Sequence, residues 1–225
     1  MKNVLTIVWA RRFAGYKRAD LLIQDFERFL KLIESTDYPL QVIWAGKPYP
    51  EDQVAIDIFN DIYWKTKYLP NCAILTGYEL GLSALLKKGS DLWLNTPRMY
   101  HEASGTSGMT AAMNGSINFS IPDGWVPEFA QDRKNSFIIP RAETENHEEQ
   151  ARIENDYMLT QLENEIVPLY YTKPGDWLRV MKQSMIDVVP FFDSNRMADE
   201  YYDRMYSLAG NLGEAGNTAK KVEKI

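Results

Sequence analysis

Residues 5–10 read LTIVWA, and residues 11–20, RRFAGYKRAD, follow without a spacer. A six-residue run with no charge and several β-branched or aromatic side chains suits a strand covered on both faces. Four cations (Arg11, Arg12, Lys17 and Arg18) then arrive within eight residues and mark a turn directly after that strand. Over residues 19–34 the apolar side chains Leu21, Leu22, Phe26, Phe29, Leu30 and Ile33 recur at helical spacing. The unit then repeats. Residues 40–45 (LQVIWA) are a second buried-strand run ending in Gly46, and 51–68 read as a helix stopped by Pro70. A third strand is expected at 72–75 and a third helix at 80–88, with Gly89 as its C-terminal cap. Residues 91–94 read as a fourth strand and 107–113 as a short helix ended by Asn114 and Gly115, with further strands at 117–121 and 136–139. This alternation predicts an α/β fold, a Rossmann-like doubly wound parallel sheet with helices on both faces.

Beyond Pro140 the pattern is helical only. Residues 143–165 carry eight acids and one base, Arg152, and read as a solvated helix face. Residues 181–189 and 197–208 read as closing helices, so one domain is expected over 1–210, with a flexible polar tail over 211–225. The chain has 225 residues and a formal charge of −6, which argues against a nucleic-acid footprint or a polybasic membrane surface. One cysteine and two histidines exclude a His/Cys zinc cage, so no metal is expected. The N-terminus becomes charged too early for a secretory signal, and no apolar run approaches the roughly 20 residues of a membrane span. The expectation is a cytoplasmic chain.

In a doubly wound sheet, ligands bind beyond the carboxyl ends of the strands. The basic turn at 11–18 calls for an anion, and phosphate suits Arg forks and a Lys point charge; the same residues also read as a solvated basic loop. Lys47, after the second strand, reads as a surface lysine. The longest turn, NTPRMYHEASGTSGMTAAMNGS (95–116), places Glu102 just ahead of Ser104, Gly105, Thr106, Ser107 and Gly108 at the start of a helix. Small residues there leave backbone N–H groups free to face an anion or a sugar, and the carboxylate can accept two sugar hydroxyls. His101 reads as a structural hydrogen-bonding residue, His147 as solvent-facing and Cys72 as a small packed residue. Trp9, Trp44 and Trp93 read as core. Asp123, Trp125 and Glu128 follow a strand end and suit a cleft edge; for Trp125, stacking on a sugar and plain packing both remain open.

With these residues in place, the chain resembles the C-terminal half of the α-glucan (glycogen) phosphorylases, especially their shorter bacterial and archaeal forms. EASGTSGM (102–109) and FAGYKRADLL (13–22) carry the resemblance. AGK (45–47), the Tyr78 region, DLWLNTPR (91–98), DGW (123–125), and SMI with RMADEY between 184 and 201 follow in the family's order. The resemblance implies the C-terminal, donor-side lobe of a GT-B glycosyltransferase, closed by C-terminal helices. It further implies retaining α-1,4-glucosyl transfer with pyridoxal phosphate as cofactor. By position, Arg12 and Lys17 would hold phosphate, and Glu102, Ser104 and Gly105 the glucose. The backbone of Thr106, Ser107 and Gly108 would contact the cofactor phosphate, with Tyr78 beside it.

The chain departs from the family at one decisive position. The lysine that forms the pyridoxal Schiff base is replaced by Thr110, no lysine occurs between residues 89 and 133, and Glu79 stands at the position of an arginine. A hydroxyl forms no imine, so no covalently bound cofactor is expected. Three readings follow: a phosphorylase-family lobe, a nucleotide-sugar-dependent synthase-type lobe, and a non-catalytic glucan-binding or regulatory lobe. The expected partners are an α-glucan, a glucose- or phosphate-type ligand, and an N-terminal GT-B lobe upstream or on a separate chain. Without that lobe the chain is expected to be inactive.

Overall fold

The two uncharged runs do pair. Strand β1 (Leu5–Ala10) lies parallel to β2 (Leu40–Ala45) in a register that sets Leu5 against Leu40, Trp9 against Trp44 and Ala10 against Ala45. The structure, a computed structural model, describes residues 4–77 and 79–207. Tyr78 and the tail expected over 211–225 lie outside the described residues. Strands β3 (Cys72–Leu75), β4 (Leu92–Asn95), β5 (Ile117–Ser120) and β6 (Phe137–Ile138) complete a six-stranded, wholly parallel sheet in the order β3-β2-β1-β4-β5-β6. This is the doubly wound order, and it reverses between β1 and β4.

Alternation along the strands feeds two cores. Leu5, Ile7 and Trp9 face a large cluster with α1 (Phe26–Ile33), α2 (Gln53–Thr66), α6 (His147–Gln161) and α7 (Val167–Thr172). Val8 and Ala10 face a smaller cluster with Leu86 of α3 (Leu80–Gly89), Trp93, and Ala111 of α4 (Thr106–Met113). A third cluster joins Ala112 of α4 to Trp125, α5 (Val126–Phe129) and Val188 of α8 (Pro174–Phe191). The last element is α9 (Ser194–Tyr201), continued by a π-turn over Tyr202–Tyr206. Among the described residues no helix is long and apolar enough to cross a membrane.

Several expected boundaries move, each for a local reason. The helix expected from residue 19 begins only at Phe26, where the Asp25 side chain accepts from the Arg28 N–H at 3.1 Å. Leu21, Leu22 and Ile23 form a separate 3-10 turn, because three consecutive buried side chains cannot share one face of an α-helix. The second helix loses two residues at each end, its start set by Asp52 capping Ala55. Gly89 is the last helical residue rather than a left-handed cap; Ser90 leaves in extended conformation and joins Ser116 at 2.8 Å, feeding the chain straight into β4. The closing helix α8 starts seven residues before the expected 181, at Pro174, where the missing N–H of proline costs nothing.

The acidic stretch is the larger correction. Its helix turns Gln150, Ala151, Glu154, Asn155, Met158 and Leu159 inward at helical spacing. Glu154 is fully buried and pairs with Arg18 at 2.6 Å, while its other oxygen accepts the Ala142 N–H at 3.1 Å. Asn155 donates to Leu21 O at 2.6 Å. The remaining acids face outward, and Glu163 and Asp156 clamp Arg28 of α1.

Two predictions follow from this packing. Glu154→Ala leaves the Arg18 guanidinium buried without its counter-charge and lowers the unfolding free energy by about 3–5 kcal/mol in urea denaturation; an unchanged midpoint contradicts the pairing. Burial pushes the Cys72 thiol up to about 12. At pH 8 the thiolate fraction is then about one in ten thousand, so labelling of the folded chain by a disulfide reagent rises about tenfold per pH unit from pH 8 to 11. A rate that levels off below pH 10 contradicts it.

Candidate functional site

Where the strand order reverses, the exits of β1 and β4 lie side by side, and the two singled-out loops leave the sheet there. The basic turn is tied down first by its backbone. Arg11 N–H donates to Ala45 O at 2.9 Å, and Phe13 N–H to Lys47 O at 3.2 Å. The turn passes so close to β2 that a Cβ on Gly46 would sit 2.0 Å from Arg11 O. This position, at φ +145, admits only glycine.

The four cations then diverge. Arg18, at φ 46, folds inward to donate to Thr96 O at 3.0 Å and Pro97 O at 2.9 Å besides pairing with Glu154. Arg11 runs beneath the loops to Leu94 O and the Asn95 side chain. Both are buried anchors of the β4 exit. Arg12 is exposed, with its guanidinium 5.1 Å from the Tyr49 ring, and lines a cleft of about 480 Å³ with Gly46, Lys47, Pro48 and Pro50. Lys17 turns the other way and places its Nζ 2.6 Å from Glu102 Oε2, with the Tyr16 ring 4.8 Å away. Arg11 Nη1 stands 4.0 Å from the same oxygen. Lys17 and Glu102 are 12% and 14% exposed, so this ion pair is largely shielded from water.

The Glu102 loop is held from below. Thr96 Oγ1 donates within 3.0 Å of the Lys17 and Arg18 carbonyls, and Arg98 N–H donates to Tyr16 O at 2.6 Å. One oxygen of Asp123 accepts both the His101 N–H (3.1 Å) and the Glu102 N–H (2.9 Å). The sequence placed Asp123 at a cleft edge; its observed work is to fix the backbone that carries Glu102. His101 is exposed, its Nδ1 lies 3.0 Å from Met99 O, and His147 is exposed at the start of α6. Trp125 resolves to packing. It is 3% exposed, its N–H holds Ser104 O at 2.9 Å, and its ring stacks on Phe129 at 4.7 Å and meets Phe192 edge-on.

Gly105, at φ 93, turns the chain into α4, whose first residues are Thr106, Ser107 and Gly108. The first amides of a helix lack acceptors one turn back within it; here the Gly108 N–H is already taken by Gly105 O at 3.0 Å, which leaves the Thr106 and Ser107 amides at the helix start. Gly108 has no room for a side chain, since a Cβ would lie 2.7 Å from Asn118 Oδ1 and 3.0 Å from Trp125 Nε1. Thr110 lies one turn further along α4, with its hydroxyl donating to Thr106 O at 3.1 Å or Ser107 O at 3.2 Å. Glu79 is exposed at the N-terminus of α3 and caps nothing. Two residues that the sequence reading passed over, Asn95 and Asn118, lie buried under this loop. The available signal was an asparagine in each of two mostly apolar strands, LWLN and INFS.

Removing the shared acceptor tests the support of Glu102. Asp123→Ala strands two N–H groups, costs about 1–3 kcal/mol of stability, and speeds amide exchange at His101 and Glu102 at least tenfold relative to β1. Unchanged exchange at those two amides contradicts the assignment.

No family profile matches the chain. An uncharacterised protein of Methanocaldococcus jannaschii is 45% identical over 206 residues, covering 91% of this chain and 38% of that protein. The maltodextrin phosphorylase of Thermococcus litoralis is 37% identical over 213 residues, covering 92% and 25%. The glycogen phosphorylase of Aquifex aeolicus is 38% identical over 213 residues, covering 91% and 30%. The chain thus spans a quarter to two fifths of the length of these relatives. Among solved structures, the catalytic domain of starch synthase IV from Arabidopsis thaliana, bound to ADP and acarbose, superposes with a TM-score of 0.66 at 19% identity, over 91% of this chain and 39% of that one. That likeness concerns the fold, and it agrees with the Rossmann-like GT-B lobe that the motifs imply. Over nine tenths of its length the chain is a homologue of part of the glycogen and maltodextrin phosphorylases.

Proposed function

We propose that the chain is the donor-side lobe of an α-glucan glycosyltransferase, and that it binds a glucosyl group and its attached or attacking phosphate at the exits of β1 and β4. The observation that carries this reading is the meeting of Lys17 and Glu102, 85 residues apart in sequence and 2.6 Å apart in the fold. A cation and a carboxylate at one point supply what a sugar phosphate needs: a counter-charge for the phosphate and an acceptor for ring hydroxyls. In this reading Arg12 and Lys17 hold phosphate oxygens. Glu102, Ser104 and Gly105 hold the sugar, and the amides of Thr106 and Ser107 face the anion, while the Gly108 N–H braces the turn on Gly105 O. Stabilising charge on the departing phosphate is the lobe's contribution to retaining α-1,4 transfer. The acceptor α-glucan and a second lobe, upstream or on another chain, complete the cleft, so the isolated chain gives no turnover. The working compartment is the cytoplasm.

Pyridoxal phosphate does not fit as a covalent cofactor. The position that would carry its lysine is Thr110, whose hydroxyl is committed to the backbone of its own helix turn, and no other amine lies between residues 89 and 133. This vacancy of function at Thr110 favours a second reading, in which a nucleotide sugar is the donor and its diphosphate uses the same cations. The starch synthase that shares this fold was solved with ADP.

Ligand-dependent melting separates the two readings. Glucose 1-phosphate or inorganic phosphate raises the melting temperature if the lobe is of phosphorylase type; ADP or ADP-glucose does so if it is of synthase type. A ligand at about 100 times its Kd adds about 2.7 kcal/mol, and Arg12→Ala and Lys17→Ala diminish the shift. Absence of any shift with all four ligands contradicts the site, and release of pyridoxal on denaturation contradicts the cofactor assignment.

A further inference from the structure

A directional chain of hydrogen bonds runs beneath the site, from the basic turn to the glycine-rich helix. The Arg11 guanidinium donates to Asn95 Oδ1, Asn95 Nδ2 donates to Asn118 Oδ1 at 2.8 Å, and Asn118 Nδ2 donates to Gly108 O at 3.0 Å. Arg11, Asn95 and Asn118 are 8%, 6% and 1% exposed, so water does not compete for these bonds. The relay joins the exit of β1, the end of β4, the middle of β5 and the first turn of α4. Asn95 and Asn118 sit diagonally on adjacent strands, since Asn95 is in register with Ser120.

The direction is not free. A guanidinium has only donors and a peptide carbonyl is only an acceptor. With a donor at one end and an acceptor at the other, each asparagine has one orientation that satisfies both neighbours. Turning either amide over sets oxygen against oxygen or N–H against N–H in a buried site, which costs far more than in water. The end of the relay is also a tight seat. Gly108 rests directly on Asn118, with the 2.7 Å approach that forbids a Cβ.

We propose that Asn95 and Asn118 are positioning residues. Through them Arg11 orients the first turn of α4, so the amides of Thr106, Ser107 and Gly108 are held in fixed relation to the basic turn that carries Arg12 and Lys17. The inference rests on the anion-binding reading given above and adds to it the residues that align its two halves. Neither asparagine touches the ligand.

The test uses aspartate at each step, which keeps shape and exchanges the donor N–H groups for an oxygen, and serine at each step, which shortens the relay without the charge that aspartate adds. Asn95→Asp still accepts from Arg11 but cannot donate to Asn118, whose amide then turns over and withdraws its donor from Gly108. Asn118→Asp keeps the acceptor for Asn95 and replaces the last bond by an oxygen set against Gly108 O. In ¹H–¹⁵N spectra of the free chain, both variants shift the backbone amides of Thr106, Ser107 and Gly108. Both also weaken binding of inorganic phosphate at least fivefold, while leaving the far-ultraviolet circular dichroism unchanged. Arg12→Ala, the direct-contact control, weakens phosphate binding without moving the Gly108 resonance in the free chain. Asn95→Ser and Asn118→Ser must give the same two effects, because only then is the loss due to the broken relay and not to the charge of a buried carboxylate. Parent-like phosphate affinity or unmoved α4 amides in the folded variants overturns the positioning role. If the parent binds ADP and not inorganic phosphate, the same fivefold loss is read with ADP; failure of the parent to bind either overturns the anion-site reading, and the positioning role with it.

Discussion

The reversal of strand order between β1 and β4 is the constraint on which the site depends. To the β2 side of β1 the chain covers one face with α1 and α2; to the β4 side the flanking helices α3 and α4 cover the other. The segments leaving β1 and β4 therefore separate above the sheet and open a crevice between them. The groups proposed to meet the ligand are attached to those two exits. The basic turn leaves β1 and the Glu102 loop leaves β4, and their side chains meet although their motifs are 85 residues apart.

Holding two irregular loops at a fixed separation needs more than a sheet beneath them. The chain uses half of its clustered cations for this purpose. Arg11 and Arg18 are turned inward, where their charge is met by Asn95, by the carbonyls of β4 and its exit, and by Glu154. Burying a guanidinium is tolerable only where acceptors and counter-charge meet it, and hydrogen bonds to such acceptors are directional, so they specify geometry as well as answering charge. Asp123 does the corresponding work from the β5 side by accepting two successive N–H groups. Of the two cations left over, Arg12 lines the exposed cleft beside Tyr49 and Lys17 meets Glu102.

The strands, their parallel arrangement and the position of the crevice were legible because they depend on period and on uncharged runs, which survive in a one-dimensional pattern. The roles inside the basic turn were not. Four cations in eight residues look alike in sequence, and only the path of the backbone through the left-handed residue Arg18 decides which are swallowed. Glu154 was hidden for a related reason: within eight acids its inward direction depends on a counter-charge brought by a turn far upstream. Trp125 was ambiguous because an aromatic at a strand exit suits sugar stacking and packing equally; the glycines Gly105 and Gly108 decide it, since their bare Cα atoms are the surface against which its ring lies.

The Lys17–Glu102 pair also says something about which ligands the crevice suits. With both groups mostly shielded from water, drawing Lys17 away leaves a carboxylate that needs new donors, and occupying Glu102 leaves an ammonium that needs a new anion. Free glucose answers only the first need of the pair, and free phosphate only the second. A molecule that carries hydroxyls and phosphate together supplies both replacements in one binding event, so the ion pair is exchanged for two charge-assisted contacts without stranding either charge. On the reading proposed here, the pair therefore favours an intact glucosyl phosphate or nucleotide sugar over its separate halves. That preference follows from two side chains alone and does not require the lysine that Thr110 replaces.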